Sequence, residues 1–296
     1  MSQAVVVLSP SSETKALEAV FRLFESPQLQ ELGDGWKQVS GKLVSSFADA
    51  KAECDSISSQ EKLDCNCLKY EAYSTSKKLV VFDMDSTLIQ QECIDEIAAE
   101  AGIQKEVSTI TSLAMNGEID FQESLRRRVS LLEGLSVDVI DKIIAKITFT
   151  PGAKELCRVL KKLGATLVVA SGGFIPMANY VKEQLNLDYA YANMLEYSHD
   201  GKYLNGKVQG AIVDGKRKAE ILREKKAELG LEEFETMAVG DGANDLIMMG
   251  ESGLGVAYNA KPKVQLMASS KINQTSLQNV LYLLGINKSE QERLLA

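Results

Sequence analysis

Histidine is almost missing: among 296 residues only His199 occurs. It sits in the turn-like stretch YSHDGKY, where solvent is its natural partner. That scarcity excludes most histidine-based acid–base chemistry and any multi-histidine metal site. Positive charge is short too: 33 Lys and Arg face 41 Asp and Glu, for a net charge of −8. Nucleic acid and anionic lipid want a basic face, so neither is an expected partner. No apolar run approaches the roughly 18 residues of a membrane helix. The first residues, MSQAVVVLSPSS, lack a basic stretch, and their apolar run is too short for a secretion signal. Cysteines are odd in number: Cys54, Cys65, Cys67, Cys93 and Cys157 show no paired spacing. They read as reduced thiols of a cytoplasmic protein, and Cys65 and Cys67 lack a second pair of metal ligands.

What is present is a core-forming chain with 45% hydrophobic residues. Short apolar runs, LVVF at 79–82, ATLVVAS at 165–171 and TMAVG at 236–240, read as buried strands. LGVAY at 254–258 and SSKIN at 269–273 follow as further strands. Helical patterns such as GAKELCRVLKKLG and KRKAEILREKKAELG precede them. Strands separated by helices of this length predict an α/β fold, a parallel sheet covered on both faces. The stretch 191–210 alternates and turns at HDGK, so a β-hairpin is expected. Residues 93–149 break the rhythm with four successive helical patterns, an inserted helical cap. Residues 1–76 read as β-α-β-β-α-β, with the middle strands at 35–40 and 41–49 and the last over CLKYEAYS. That order fits a small ferredoxin-like unit. SISSQEK and YSTSKK are the most linker-like stretches. The expected division is an α+β extension (1–76), a catalytic core (77–92 and 150–296) and the cap (93–149).

Ligands of open parallel sheets bind outside the carboxyl ends of the strands. Here those ends deliver Asp83-Met84-Asp85-Ser86-Thr87, Ser171-Gly172-Gly173 and Gly240-Asp241-Gly242-Ala243-Asn244-Asp245. Taken singly, each is more often a helix cap or a turn. Taken together they demand more. Asp83 and Asp85 lie two residues apart, and extended backbone turns both the same way. Acids held that close repel unless a cation or a shared proton relieves them. With Asp241 added, a hard cation is the natural occupant, and a few carboxylates with room for water and phosphate oxygen suit Mg²⁺. Glycines at a helix start favour an anion, so Ser171 and the amides around Gly172 form a phosphate seat. Lys218, early in a helix, opposes the helix dipole and makes sense as a charge clamp beside that seat. The sum is phosphoryl transfer to an aspartate, one carboxylate attacking and the other managing protons.

The ordered motifs DMDST, VVASGG, Lys218 and GDGANDL resemble the four signatures of the haloacid dehalogenase superfamily of aspartate-dependent phosphatases. DMDSTLIQQECIDEIAAEAG, AMNGEIDFQESLRRRVSLL and SGGFIPMANYVKEQL closely resemble its phosphoserine phosphatase family. The likeness runs from about residue 78 to about 284 and spares the first seventy-odd residues. It implies Asp83 as nucleophile and Asp85 as general acid/base. It implies Mg²⁺ held by Asp83, the Asp85 main-chain carbonyl and Asp241, with Asp245 behind. Ser171, Gly172 and Lys218 would hold the phosphoryl group, and Asn244 would line the site. From the cap, Glu92 would take an amino group, Arg128 a carboxylate, and Met115 and Phe121 would close over the substrate. The expected partner is a small molecule, phosphoserine, whose hydrolysis would complete serine synthesis; a homodimer stays open.

Two other readings remain at this point: a phosphatase of another small phosphorylated metabolite or of a phosphoprotein, and a catalytically silent binding or regulatory protein. P-type ATPases carry Thr where Asp85 stands and need membrane helices. The N-terminal unit resembles amino-acid-binding regulatory modules, but its first turn, SPSSETK, lacks the Asp and Gly of a serine-binding loop.

Overall fold

The computed structural model describes residues 2–10 and 14–296, with Met115 as backbone only. Residues 11–13 of the SPSSETK turn and the Met115 side chain lie outside the described residues.

The chain starts as β1 (Gln3–Leu8), α1 (Thr14–Phe21), β2 (Gln28–Gly33), β3 (Trp36–Lys42), α2 (Phe47–Glu61) and β4 (Cys65–Lys69). The four strands form one antiparallel sheet in the order β2-β3-β1-β4. The middle hairpin sits earlier than the sequence reading expects. Gly33, Asp34 and Gly35 all take positive φ (103°, 49° and 81°) and make the turn, so the strands flank that turn. Residues 43–49 leave the sheet for α2, whose N-cap Ser46 accepts from the Asp49 N–H at 3.1 Å. SISSQEK is no linker, since α2 runs through to Glu61. The last strand stops at Lys69, and α3 (Tyr70–Ser74) takes YEAYS.

In this small sheet β1 is buried on both faces, while the edge strand β2 is largely exposed. Ala4, Val6 and Leu8 face the cluster that includes α1 and α2, while Val5 and Val7 join the main core. Trp36 stacks on Tyr282 at 5.1 Å between ring centroids.

The second sheet begins at β5 (Leu79–Phe82). An all-helical insert follows: α4 (Cys93–Ala101), α5 (Gln104–Met115), α6 (Phe121–Ser130) and α7 (Asp138–Lys146). Then come α8 (Ala153–Lys162), β6 (Thr166–Phe174), α9 (Ile175–Leu185), the hairpin β7 (Tyr189–Tyr197) and β8 (Leu204–Gln209), and α10 (Gly215–Glu228). β9 (Thr236–Gly240), α11 (Leu246–Glu251), β10 (Leu254–Tyr258), α12 (Pro262–Met267), β11 (Ser270–Ile272) and α13 (Lys288–Leu295) finish the chain. The strand order is β11-β10-β9-β5-β6-β7-β8, parallel except for the edge strand β8. The fold is α/β, and LVVF and TMAVG are buried throughout because helices cover both faces. From β5 the chain winds one way through β6 and the other through β9. The crevice above β5 and β9 is therefore the topological switch point where ligands bind. Among the described residues no helix is long and apolar enough to cross a membrane.

Candidate active site

β5 ends in Asp83, which is extended (φ −71°, ψ 163°), as is Asp85 (φ −64°, ψ 134°). Ser86 turns left-handed at φ 56° and reverses the chain. Its hydroxyl donates to Glu92 Oε1 at 2.6 Å, which pins the start of α4 beside the strand end. β9 ends in Gly240, followed by Asp241 and Asp245. A Cβ on Gly240 would lie 2.4 Å from the Asp245 carboxyl carbon, so only glycine lets Asp245 tuck in there.

Asp83, Asp241 and Asp245 converge, with carboxylate oxygens all within 4.8 Å of one another. Lys218 meets two of them. Its Nζ lies 2.6 Å from Asp83 Oδ1 and 2.8 Å from Asp245 Oδ1, and the side chain is fully buried. Lys218 belongs to the first turns of α10, where the helix dipole opposes it; the two acids supply the compensation. Burial alone would lower its pKa, and Asp245 and Asp83 more than reverse that, so the lysine is held charged. The acids pay in turn. Burial, then the charge of Asp245, raises Asp83 well above the usual carboxylate range. Burial, then Asp245 and Glu92, lifts Asp241 to about 6.

Three carboxylates against one ammonium leave two negative charges, the complement of a divalent cation. The crowding that raises these pKa values is what such a cation would relieve, so the donor set fits a metal. Asp245 belongs to this carboxylate group itself and also accepts from the Gly242 N–H at 3.0 Å.

Asp85 stands apart from that group. One carboxylate oxygen accepts from the Cys93 N–H at 3.2 Å; the other is buried without a partner among the described residues. Burial, then the charge of Glu92, raises its pKa to about 7. A carboxyl that titrates near neutrality can both give and take a proton.

β6 runs on through Ser171-Gly172-Gly173 to Phe174 instead of ending at Ser171, and its pairing with β7 shifts register between Ala170 and Phe174. Ser171 is fully buried there, and its Oγ accepts from the Gly173 N–H at 2.8 Å. α9 starts directly after this irregular stretch, at Ile175. Asn244 is half-buried in the β9 turn, where its main-chain oxygen lies close to Gly215 at the start of α10.

The insert reaches the same place. A Cβ on Gly172 would lie 2.9 Å from Phe121 Cζ, so the ring rests on the proposed phosphate seat. Of the three consecutive arginines, Arg126 and Arg127 are exposed while Arg128 is half-buried. Burial lowers the Arg128 pKa, and the charges of Asp95, Glu92 and Asp85 work against that. Arg128 thus faces the acids of the site, with Glu92 as a carboxylate neighbour.

Two residues of the site escape sequence reasoning. Thr87 is fully buried and donates to Asp241 Oδ1 at 3.2 Å. Asn193, also fully buried, donates to the Gly172 carbonyl and accepts from the Val213 N–H, each at 2.8 Å. Thr87 sits inside DMDST and could have been singled out as a hydroxyl next to two acids. Asn193, one amide inside a strand, carries no local signal beyond being polar in a buried run.

Comparison with known proteins agrees with this geometry. Residues 77–253 match the family model of haloacid dehalogenase-like hydrolases. A probable phosphoserine phosphatase of Schizosaccharomyces pombe is 70% identical over 295 residues, covering 100% of this chain and 99% of that protein. A haloacid dehalogenase family hydrolase of Salmonella enterica serovar Typhi superposes with a TM-score of 0.86 at 26% identity, covering 96% of this chain and 99% of its own. A probable phosphoserine phosphatase of Vibrio cholerae gives 0.75 at 35%, covering 98% and 88%. With the carboxylates at the strand ends, the buried lysine and Ser171 in the irregular last part of β6, the chain belongs to the haloacid dehalogenase-like hydrolase family.

Proposed function

We propose that the chain is an Mg²⁺-dependent phosphatase of O-phospho-L-serine that works through a phosphorylated Asp83. In the first step an Asp83 oxygen attacks phosphorus, the bond from phosphorus to the serine oxygen breaks, and Asp85 gives that oxygen its proton. In the second, Asp85 takes a proton from water as the water oxygen attacks phosphorus, and Asp83 leaves as carboxylate. Ser171, Gly172 and Lys218 hold the phosphoryl oxygens, and Asn244 lines their side of the site. Asp83, Asp241 and the Asp85 main-chain carbonyl would hold Mg²⁺, with Asp245 behind them. The ion supplies positive charge where the attacking carboxylate and the phosphoryl group would otherwise repel.

Residues 93–149 act as a cap that selects the substrate, over a core of 77–92 and 150–296 that follows an N-terminal extension of 1–76. The observation that carries the substrate assignment is a pair of opposite charges near Asp85: half-buried Arg128 on α6, on which the charges of Asp95, Glu92 and Asp85 act, and Glu92, held at the start of α4 by the Ser86 hydroxyl at 2.6 Å. A carboxylate and an ammonium on one small molecule match that pair. Phe121, resting on Gly172, shields the reaction, and the reduced thiols fit a cytoplasmic setting.

The test is phosphate release from a panel of phosphorylated metabolites with and without Mg²⁺. Phosphoserine should turn over fastest, and only with the metal. Equal rates across the panel would remove the substrate assignment.

A further inference from the structure

The insert is tied to the core at both ends of α6, by ties of different strength. Beyond the C-terminal end they are backbone bonds to the β7–β8 hairpin. The Gly134 N–H donates to the Leu204 carbonyl at 2.9 Å, the Leu204 N–H to Leu135 at 2.8 Å, and the Val137 N–H to Lys202 at 3.0 Å. At the N-terminal end, beside Phe121, the tie is a single side-chain bond: Gln122 Nε2 donates to Asp214 Oδ2 at 2.7 Å. We propose that the hairpin end is the hinge and that Gln122 and Asp214 form a latch that holds the cap closed over the substrate.

The surroundings give the latch its leverage. The Gln122 amide is oriented from its own helix, because its oxygen accepts from Arg126 Nη2 at 3.2 Å. Asp214 caps α10 with its other oxygen, accepting from the Arg217 N–H at 2.9 Å, and its carbonyl accepts from the Lys218 N–H at 2.9 Å. The preceding residue, Val213, is fastened through Asn193 to Gly172, the glycine on which Phe121 rests. One residue therefore joins the cap and the helix of Lys218 through its carboxylate, and follows directly on the Val213 that is fastened to the phosphate seat. Closing the cap completes a ring of contacts around the reacting groups. Opening it breaks one hydrogen bond to a charged acceptor and lifts the Phe121 ring from Gly172, a cost within reach of thermal motion.

This inference rests on the phosphatase reading, so the test has an arm that does not. Gln122→Leu removes the donor at similar size. Asp214→Ser keeps a helix cap but has no second oxygen for Gln122. Either variant should lower phosphoserine kcat/KM about tenfold, and the double variant should be no worse than either alone. Turnover of p-nitrophenyl phosphate, which has no amino-acid groups to enclose, should stay within about twofold of wild type. In both variants, amide hydrogen exchange should rise at 121–124 and stay unchanged at 134–137. Unchanged exchange at 121–124 overturns the latch. Additive losses in the double variant, or equal losses on both substrates, do so as well. If exchange responds as expected but wild type ignores phosphoserine, the latch stands and the substrate assignment falls.

Discussion

Both edges of the seven-stranded sheet bury a lysine, and the two lysines sit in opposite surroundings. At the carboxyl edge Lys218 is flanked by Asp83 and Asp245. At the amino edge Lys77, just before β5, donates to the Ala72 and Phe234 carbonyls, each at 2.6 Å. The carbonyls offer partial charge only, and burial lowers the Lys77 pKa to about 8. Acids hold Lys218 charged; neutral dipoles leave Lys77 close to losing its proton. The same side chain thus ties α3 to the core at one edge and pairs with two acids at the other. Only the second arrangement leaves net negative charge for a cation to complete.

The comparison breaks most sharply at the carboxyl edge. Asp83→Asn should reduce phosphoserine turnover by at least about a thousandfold while unfolding stays cooperative. If more than about a tenth of the rate survives, Asp83 is not the nucleophile.

Lys218→Met should come next. It leaves three crowded acids without their ammonium, and thermal or urea unfolding should show a loss of about 3–5 kcal/mol. Added Mg²⁺ should restore more stability in this variant than in wild type, because the site has lost the positive charge that offset one of its carboxylates. A variant indifferent to Mg²⁺ would mean that the acids are not a cation site.

Arg128→Ala tests the rim of the same edge. A buried charge partner lost to one substrate should cost about 2–5 kcal/mol in kcat/KM for phosphoserine. For p-nitrophenyl phosphate, which has no carboxylate, the change should be small. Parallel losses on both would make Arg128 a structural residue.

The smallest effect belongs to the amino edge. Lys77→Met should leave turnover unchanged, lower stability by about 1–3 kcal/mol through the two carbonyls that lose their donor, and alter how stability depends on pH. The folded pKa of about 8 lies below the ordinary value of 10.5. Between them the unfolded chain binds more protons, so wild-type stability should rise with pH there relative to Lys77→Met. The gain is at most about 1.4 kcal/mol per pH unit. A difference between the two that stays flat from pH 7 to 10 would show that Lys77 keeps its proton.

The same contrast shows what the sequence makes legible. The acids after β5 and β9 stand out because a buried strand that ends in charge is anomalous, and the anomaly lies within a few neighbouring residues. Lys77 gives no such sign: YSTSKK looks like linker, and its burial is decided by Phe234, far along the chain. Asn193 and Thr87 are set by partners on other strands in the same way. The N-terminal hairpin is misplaced for a local reason, since Gly33-Asp34-Gly35 is turn chemistry that outweighs the apolar pattern around it. Parallel strands and inserted helices are written in period and length. Contacts that join distant elements are not.

All five cysteines are buried. Hydrogen bonding to neighbouring thiols, and then burial, pushes Cys54 and Cys67 far above the ordinary thiol range; burial, then Asp85, does the same for Cys93, and burial alone lifts Cys157 to about 12. Thiol reagents attack the exposed thiolate, so the native protein offers them almost no target. The molecule is therefore a blank background for site-specific probes. One cysteine placed at exposed Ser112 on the insert and another at exposed Lys216 on α10 would carry a dye pair without removing any native residue of the site. Opening and closing could then be timed on single molecules.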